Sequence, residues 1–305
     1  MTHCGASEES CCTSLEVCGG TYYRAYTNAG SGPTGEADPA SVTRFRLDKY
    51  LVTVGRFRQF VTAWNGGSGY TPPAGSGKHT HLNNGLGLAN TVIPGGYESG
   101  WITSDDENIE PTSSNLACPP YDDPSSPTTW TATVAGNENQ PINCVNWYEA
   151  YAFCIWDGGF LPSEAEWEYA AAGGSQQREY PWGSTDPGNG YQYANYDNYY
   201  FDSSNSYIAP VGAATLGAGR WQQLDLAGEV NEWTMDFFDY YVVPCIDCAS
   251  LTPTSPGPQL APFGRIARGG YFGAGATFLT PYARDFSGVS TARASDFGLR
   301  CARAP

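Results

Sequence analysis

The sequence predicts an α+β fold, loop-rich and with little regular structure, and three observations carry that prediction. Two stretches open on paired helix-start signals and close on double glycines, at Asn146–Gly159 and Ser163–Gly174. Short apolar runs lie between turn residues, as strands do. Between them, from about Asn65 to Gln140, runs a long tract of Gly, Pro, Ser, Thr and Asn without periodicity.

In chain order, the first twenty residues are rich in Cys, Ser and Gly, and Cys4, Cys11, Cys12 and Cys18 suggest a stapled arm over 1–20 ahead of a body over 21–305. Regular structure first shows at RFRLDKYLVTVGRFRQFVTAW. Phe45 and Leu47 alternate with polar neighbours as in a strand. Thr53 then caps a helix whose Val54, Phe57, Phe60, Val61 and Trp64 fall on one face. The irregular tract that follows needs anchors, for which Trp101, Trp130 and a Cys118–Cys144 bridge are candidates. In NWYEAYAFCIWDGG, Asn146 and Glu149 form a capping-box pair, and in SEAEWEYAAAGG Ser163 and Glu166 repeat it. RIARGGYF and FGLRCAR read as strands. No repeat of 20–50 residues suggests a solenoid or propeller.

Composition narrows the function. Hydrophobic residues make up 41% of the 305, enough for a substantial core, while charged residues make up 15%, well below the usual quarter. The formal charge of −16 repels phosphate backbones, so nucleic acid is not an expected partner. Acidic loops do offer hard oxygen ligands of the kind calcium takes. Ten cysteines point to disulfides in an oxidising compartment, hence a secreted or cell-envelope protein. MTHCGASEES has no apolar signal core, so any export signal is expected to have been removed, and no apolar stretch is long enough to be a transmembrane segment.

The segment WYEAYAFCIWDGGFLPSEAEWEYAAAGG resembles the central signature of the formylglycine-generating enzyme (sulfatase-modifying factor) family. The resemblance continues through YPWG at Tyr180–Gly183, DLAGEVNEWTMDFF at Asp225–Phe238, ARGGYF at Ala267–Phe272 and FGLRC at Phe297–Cys301. LDKYLVTVGRFRQF is similar to the family's first strand and helix. The resemblance implies an elaborated C-type-lectin-like fold in a single domain. It also implies a disulfide between Cys154 and Cys301. In the enzymes, two cysteines after the RGG motif bind Cu(I) and oxidise a substrate cysteine. Here Arg268–Arg300 contains no cysteine; aligned on the motifs, Ala274 and Leu279 stand in those places and Tyr271 where a serine is expected. Copper is therefore not an expected cofactor, because soft thiolates are the ligands it requires.

Calcium is the expected one. The family wraps an ion with the stretch equivalent to DLAGEVNEW, which carries over to the side chains of Asp225 and Glu232 and the carbonyls of Gly228 and Val230, a hard-oxygen set. A second family site is half retained, at Asn195 and the Tyr196 carbonyl, with Asp202 one residue out of register. His79 and His81 could contribute to a facial triad, but their Gly/Asn-rich surroundings favour a solvated loop. Cys245-Ile-Asp-Cys248 lacks the context of a redox or zinc motif, so a small loop disulfide is the better reading. The tyrosine-dense run holding Tyr193 and Tyr199, with Tyr271 and Arg268, makes a candidate binding surface. The leading expectation is a non-catalytic ligand-binding or structural protein whose partner is an extracellular protein, peptide or glycan. The alternatives are a copper-dependent oxidase with altered ligands and a hypervariable lectin-fold binding protein.

Overall fold

A computed structural model describes residues 2–118, 127–200, 207–254, 264–286 and 289–305. Three α-helices form where the capping signals place them. Helix α1 spans Val54–Trp64, with the Thr53 side chain accepting from the Arg56 amide. Helices α2, Trp147–Trp156, and α3, Glu164–Ala171, both carry complete capping boxes, from Asn146 with Glu149 and from Ser163 with Glu166. Phe57 and Phe60 of α1 pack on Phe153 of α2, with ring centroids 5.5 and 5.8 Å apart. Trp233 and Leu299 complete that core.

The sheet that holds the NEWTMDF, RIAR and FG segments has four strands in the order Asp285–Phe286, Arg265–Arg268, Asn231–Phe237, Phe297–Gly298. Asn231–Phe237 is buried nearly end to end, as an inner strand should be. A second sheet sets Phe45–Asp48 between Ser14–Val17 and Ala302–Arg303, so the two ends of the chain meet at one strand. Within the segment expected as a stapled arm, Ser14–Val17 pairs antiparallel with Phe45–Asp48, with Leu15 opposite Leu47 and Val17 opposite Phe45.

A long hairpin, Gly20–Asn28 with Pro33–Val42, precedes the first element expected from sequence. Its alternation is present in the residues, since Tyr22, Arg24 and Tyr26 point inward and Tyr23 outward, but tyrosine and arginine do not register as an apolar face. Tyr22 and Tyr26 cover α3 and its exit: their hydroxyls donate to the carbonyls of Ala165 and Arg178. Among its described residues the tract before α2 is irregular as expected, with four short 3-10 turns and the two-residue strand Ala89–Asn90. Trp101 and Trp130 are buried within it.

The disulfides are Cys4–Cys11, Cys118–Cys144, Cys154–Cys301 and Cys245–Cys248. Cys12 and Cys18 are free and exposed. No described helix is long and apolar enough to cross a membrane.

Candidate metal centre

The turn before Asn231–Phe237 is built from unusual backbone. Asp225, Gly228 and Glu229 have φ of 57°, 79° and 65°. At Gly228 a side chain has no room: a Cβ would lie 2.2 Å from the Asn195 carbonyl oxygen. The Gly228 amide donates to Gly269 and the Glu229 amide to Asn195, which ties the turn to the RGG segment and to the tyrosine-rich loop.

Inside this turn, carboxylates gather. Oδ2 of Asp225 accepts from the Gly212 amide at 2.6 Å, and Oδ1 has no partner. Oε2 of Glu232 accepts from Trp167 at 2.9 Å and from Arg300 at 2.6 Å, and Oε1 has no partner. Arg300 is fully buried and also donates to the Leu224 and Asp225 carbonyls. Sequence reasoning missed a third acid, Glu229. Its Oε2 accepts from Asn195 and Ala209 while Oε1 is unpartnered. Oδ1 of Asn195 is unpartnered too.

The electrostatics match that count of acids. Burial pushes Asp225 up to about 6, against the Gly212 hydrogen bond and the Arg300 charge. Burial, then the charge of Asp225, pushes Glu229 well above the carboxylate range. Burial also raises Glu232, opposed by Arg300. Buried charge of one sign is costly unless compensated. Unpartnered oxygens on Asp225 and Glu232 beside backbone carbonyls fit a hard cation such as calcium. Among the described residues no three His, Cys, Asp or Glu side chains converge on one point, so any such site must mix carboxylates with carbonyls. In the half-retained second set, Asn195 lies beside this turn. The Tyr196 carbonyl accepts from the Tyr199 amide at 3.0 Å, and Asp202 lies outside the described residues.

The sulfatase-modifying factor enzyme 1-like domain matches residues 3–305. The chain belongs to that family. The formylglycine-generating enzyme of Mus musculus is 32% identical over 180 residues, 56% of this chain and 46% of that protein, so the match spans about half of the relative. The formylglycine-generating enzyme of Thermomonospora curvata is 27% identical over 312 residues, 95% of this chain and 93% of its own length. Hercynine oxygenase of Mycobacterium tuberculosis is 30% identical over 164 residues, 48% of this chain and 33% of that one. Among solved structures, PvdO from Pseudomonas aeruginosa aligns with a TM-score of 0.58 at 18% identity, over 97% of this chain and 100% of that one. Treponema denticola variable protein 1 aligns with a TM-score of 0.51 at 18% identity, over 96% and 95%. These two show the shared fold.

Within the family fold, Ala274 and Leu279 are buried carbon side chains, and Leu279 packs with Ala194, Tyr196 and Ala227. Tyr271 is half-buried, edge-on to Phe272. Tyr193 and Tyr199 are half-buried in an aromatic cluster. Tyr193 lies 5.4 Å from Trp182, and Tyr199 donates to Asn189. Arg268 corrects the expectation of a binding role: it is sealed from solvent, with donors committed to Glu164, Glu168 and the Pro281 and Ala283 carbonyls. It anchors the RGG segment to α3.

His79 also corrects its expected place in a solvated loop, while His81 is half-buried. His79 is fully buried, its Nδ1 held by Glu98 at 3.0 Å and its Nε2 by Glu166 at 3.1 Å. The ring lies 3.8 Å from that of Phe160. With both nitrogens engaged, it has none left for a metal.

Proposed function

We propose that this chain is a calcium-stabilised, non-catalytic binding or structural protein of its family, acting in an oxidising, extracellular or cell-envelope setting. One observation carries the non-catalytic half. Where the family resemblance places the copper-binding cysteines stand Ala274 and Leu279, both buried. The remaining thiols do not offer a replacement: Cys245 and Cys248 are bonded to each other, and Cys12 and Cys18 lie near the N-terminus. Copper(I) needs soft ligands held close together.

Asp225 and Glu232, with the Gly228 and Val230 carbonyls, would hold the calcium. The ion would supply positive charge to buried carboxylates and cross-link the turn to the strand behind it. The disulfides support an oxidising compartment. A sulfatase-type peptide bearing Cys-x-Pro-x-Arg, incubated with the protein, Cu(I) and oxygen, is expected to stay unoxidised by mass spectrometry. Conversion to formylglycine above the no-protein control would replace this reading with that of an oxidase, which the formylglycine-generating and hercynine-oxygenase relatives otherwise favour.

A further inference from the structure

Arg265 opens the Arg265–Arg268 strand and is 8% exposed. Its guanidinium is clamped between two rings, 3.6 Å from the centroid of Trp147 and 3.5 Å from that of Phe237. Stacking accounts for its faces but not for its edge. Of five N–H donors, the one hydrogen bond runs from Nη1 to the Met235 carbonyl, and Nε is buried without an acceptor. The other buried arginines differ: Arg56, Arg268 and Arg300 each meet a carboxylate at 2.6–2.9 Å, and Arg24 donates from two nitrogens to the Asp38 and Val242 carbonyls. A buried guanidinium whose Nε has no acceptor among the described residues is costly, and an anion beside it would offset that cost.

The space for one is adjacent. Arg265 lines a cavity of about 260 Å³ together with Trp147, Tyr148, Tyr151, Phe237 and Leu251. At ~30 Å³ per water this is room for one small organic molecule. Asp236 and Asp105 both act on Arg265 electrostatically, but only Asp105 lines the cavity, and no ion pair joins either of them to Arg265 among the described residues. A separate cation and anion on an aromatic-walled cavity suit a ligand that carries both charges on an apolar body.

We propose that this cavity binds a small carboxylate with an aromatic or aliphatic body, an apolar α-amino acid being the preferred form. The carboxylate meets the unmet donors of Arg265, the ammonium turns toward Asp105, and the apolar body lies among the rings. This site is separate from the candidate calcium turn and does not rest on it.

Isothermal titration of the whole chain with phenylalanine, phenylpropionate and phenethylamine tests the assignment. Phenylalanine is expected to bind best, phenylpropionate roughly tenfold more weakly for want of one charged contact, and phenethylamine not at all. Asp105→Asn should erase the advantage of phenylalanine over phenylpropionate. Arg265→Gln should abolish both. Leu251→Trp, which fills the cavity and leaves Arg265 untouched, should also abolish both, and it decides the matter if Arg265→Gln does not fold. The proposal is overturned if neither carboxylate binds saturably by ~10 mM, if phenethylamine binds as well as the acids, or if folded Leu251→Trp binds like the parent.

Discussion

At Glu232, one carboxylate oxygen meets Trp167 and Arg300 while the other meets nothing, and Asp225 repeats the pattern with Gly212. Single residues therefore set the strongest expectation about ligands. Calcium bound only to the folded chain raises its stability by mass action, ~2.7 kcal/mol at a hundredfold excess over Kd. We expect EDTA to lower the melting temperature, calcium to restore it, and Asp225→Asn with Glu232→Gln to remove the response. An unchanged melting curve in EDTA would rule the site out. Asp225 and Glu232 could be singled out from sequence because a motif names them and their residue type suits a hard cation; what the structure adds is one unpartnered oxygen on each. Glu229 could not be, because its importance comes from facing Asn195 across the fold, a contact 34 residues away in sequence. Arg268 was misjudged for a related reason: its sequence neighbours do not reveal that Glu164 and Glu168 stand against it.

Among the elements, α3 is joined to the irregular tract through a shared residue. Glu166 closes the capping box of α3 and accepts from His79, whose other nitrogen Glu98 holds. Burial by itself would lower the pKa of His79, but the charges of Glu98 and Glu166 outweigh it and raise it from 6.5 to about 10. A raised histidine contributes stability that is full below the unfolded value and is lost as pH rises through the folded one. Urea unfolding is thus expected to show stability falling between pH 6.5 and 10. In His79→Gln that fall should be flatter and the stability at pH 7 lower by roughly 3–5 kcal/mol, the usual loss when one partner of a buried charge cluster is removed. Parallel pH profiles for parent and variant would contradict this. The helix itself was readable because capping boxes and glycine stops are local signals, whereas the histidine was not, since a Gly/Asn-rich neighbourhood says nothing about burial. The Gly20–Val42 hairpin shows the same limit, its inner face being tyrosine and arginine that pack on α3.

For the whole molecule, the C-terminal end is fastened to the body twice, by Ala302–Arg303 pairing with Phe45–Asp48 and by Cys154–Cys301. The family motifs span the body of the chain, which is why the fold was legible even where local structure was not. What they could not give was the N-terminal pairing: of the four cysteines that suggest a stapled arm, Cys4 and Cys11 are bonded while Cys12 and Cys18 are free. The bonds differ in the loops they close. Cys154–Cys301 spans a separation of 147 residues and Cys245–Cys248 one of 3. In the chain-entropy account, stabilisation grows with the logarithm of loop length, giving about 5 kcal/mol for the first and about 2 kcal/mol for the second. Both bonds are buried, Cys154 and Cys301 against the α1–α2 core and Cys245 and Cys248 against that of α3, so loop length is what separates them. Alkylation of the native, unreduced protein should therefore label two thiols, at Cys12 and Cys18, and denaturation without reductant should add none. Replacing Cys154 and Cys301 together by Ala should lower the urea midpoint far more than replacing Cys245 and Cys248 together. If the two double variants lose stability equally, or if Cys154 is alkylated without reductant, the Cys154–Cys301 clamp is not what holds the C-terminal end of this chain to its core.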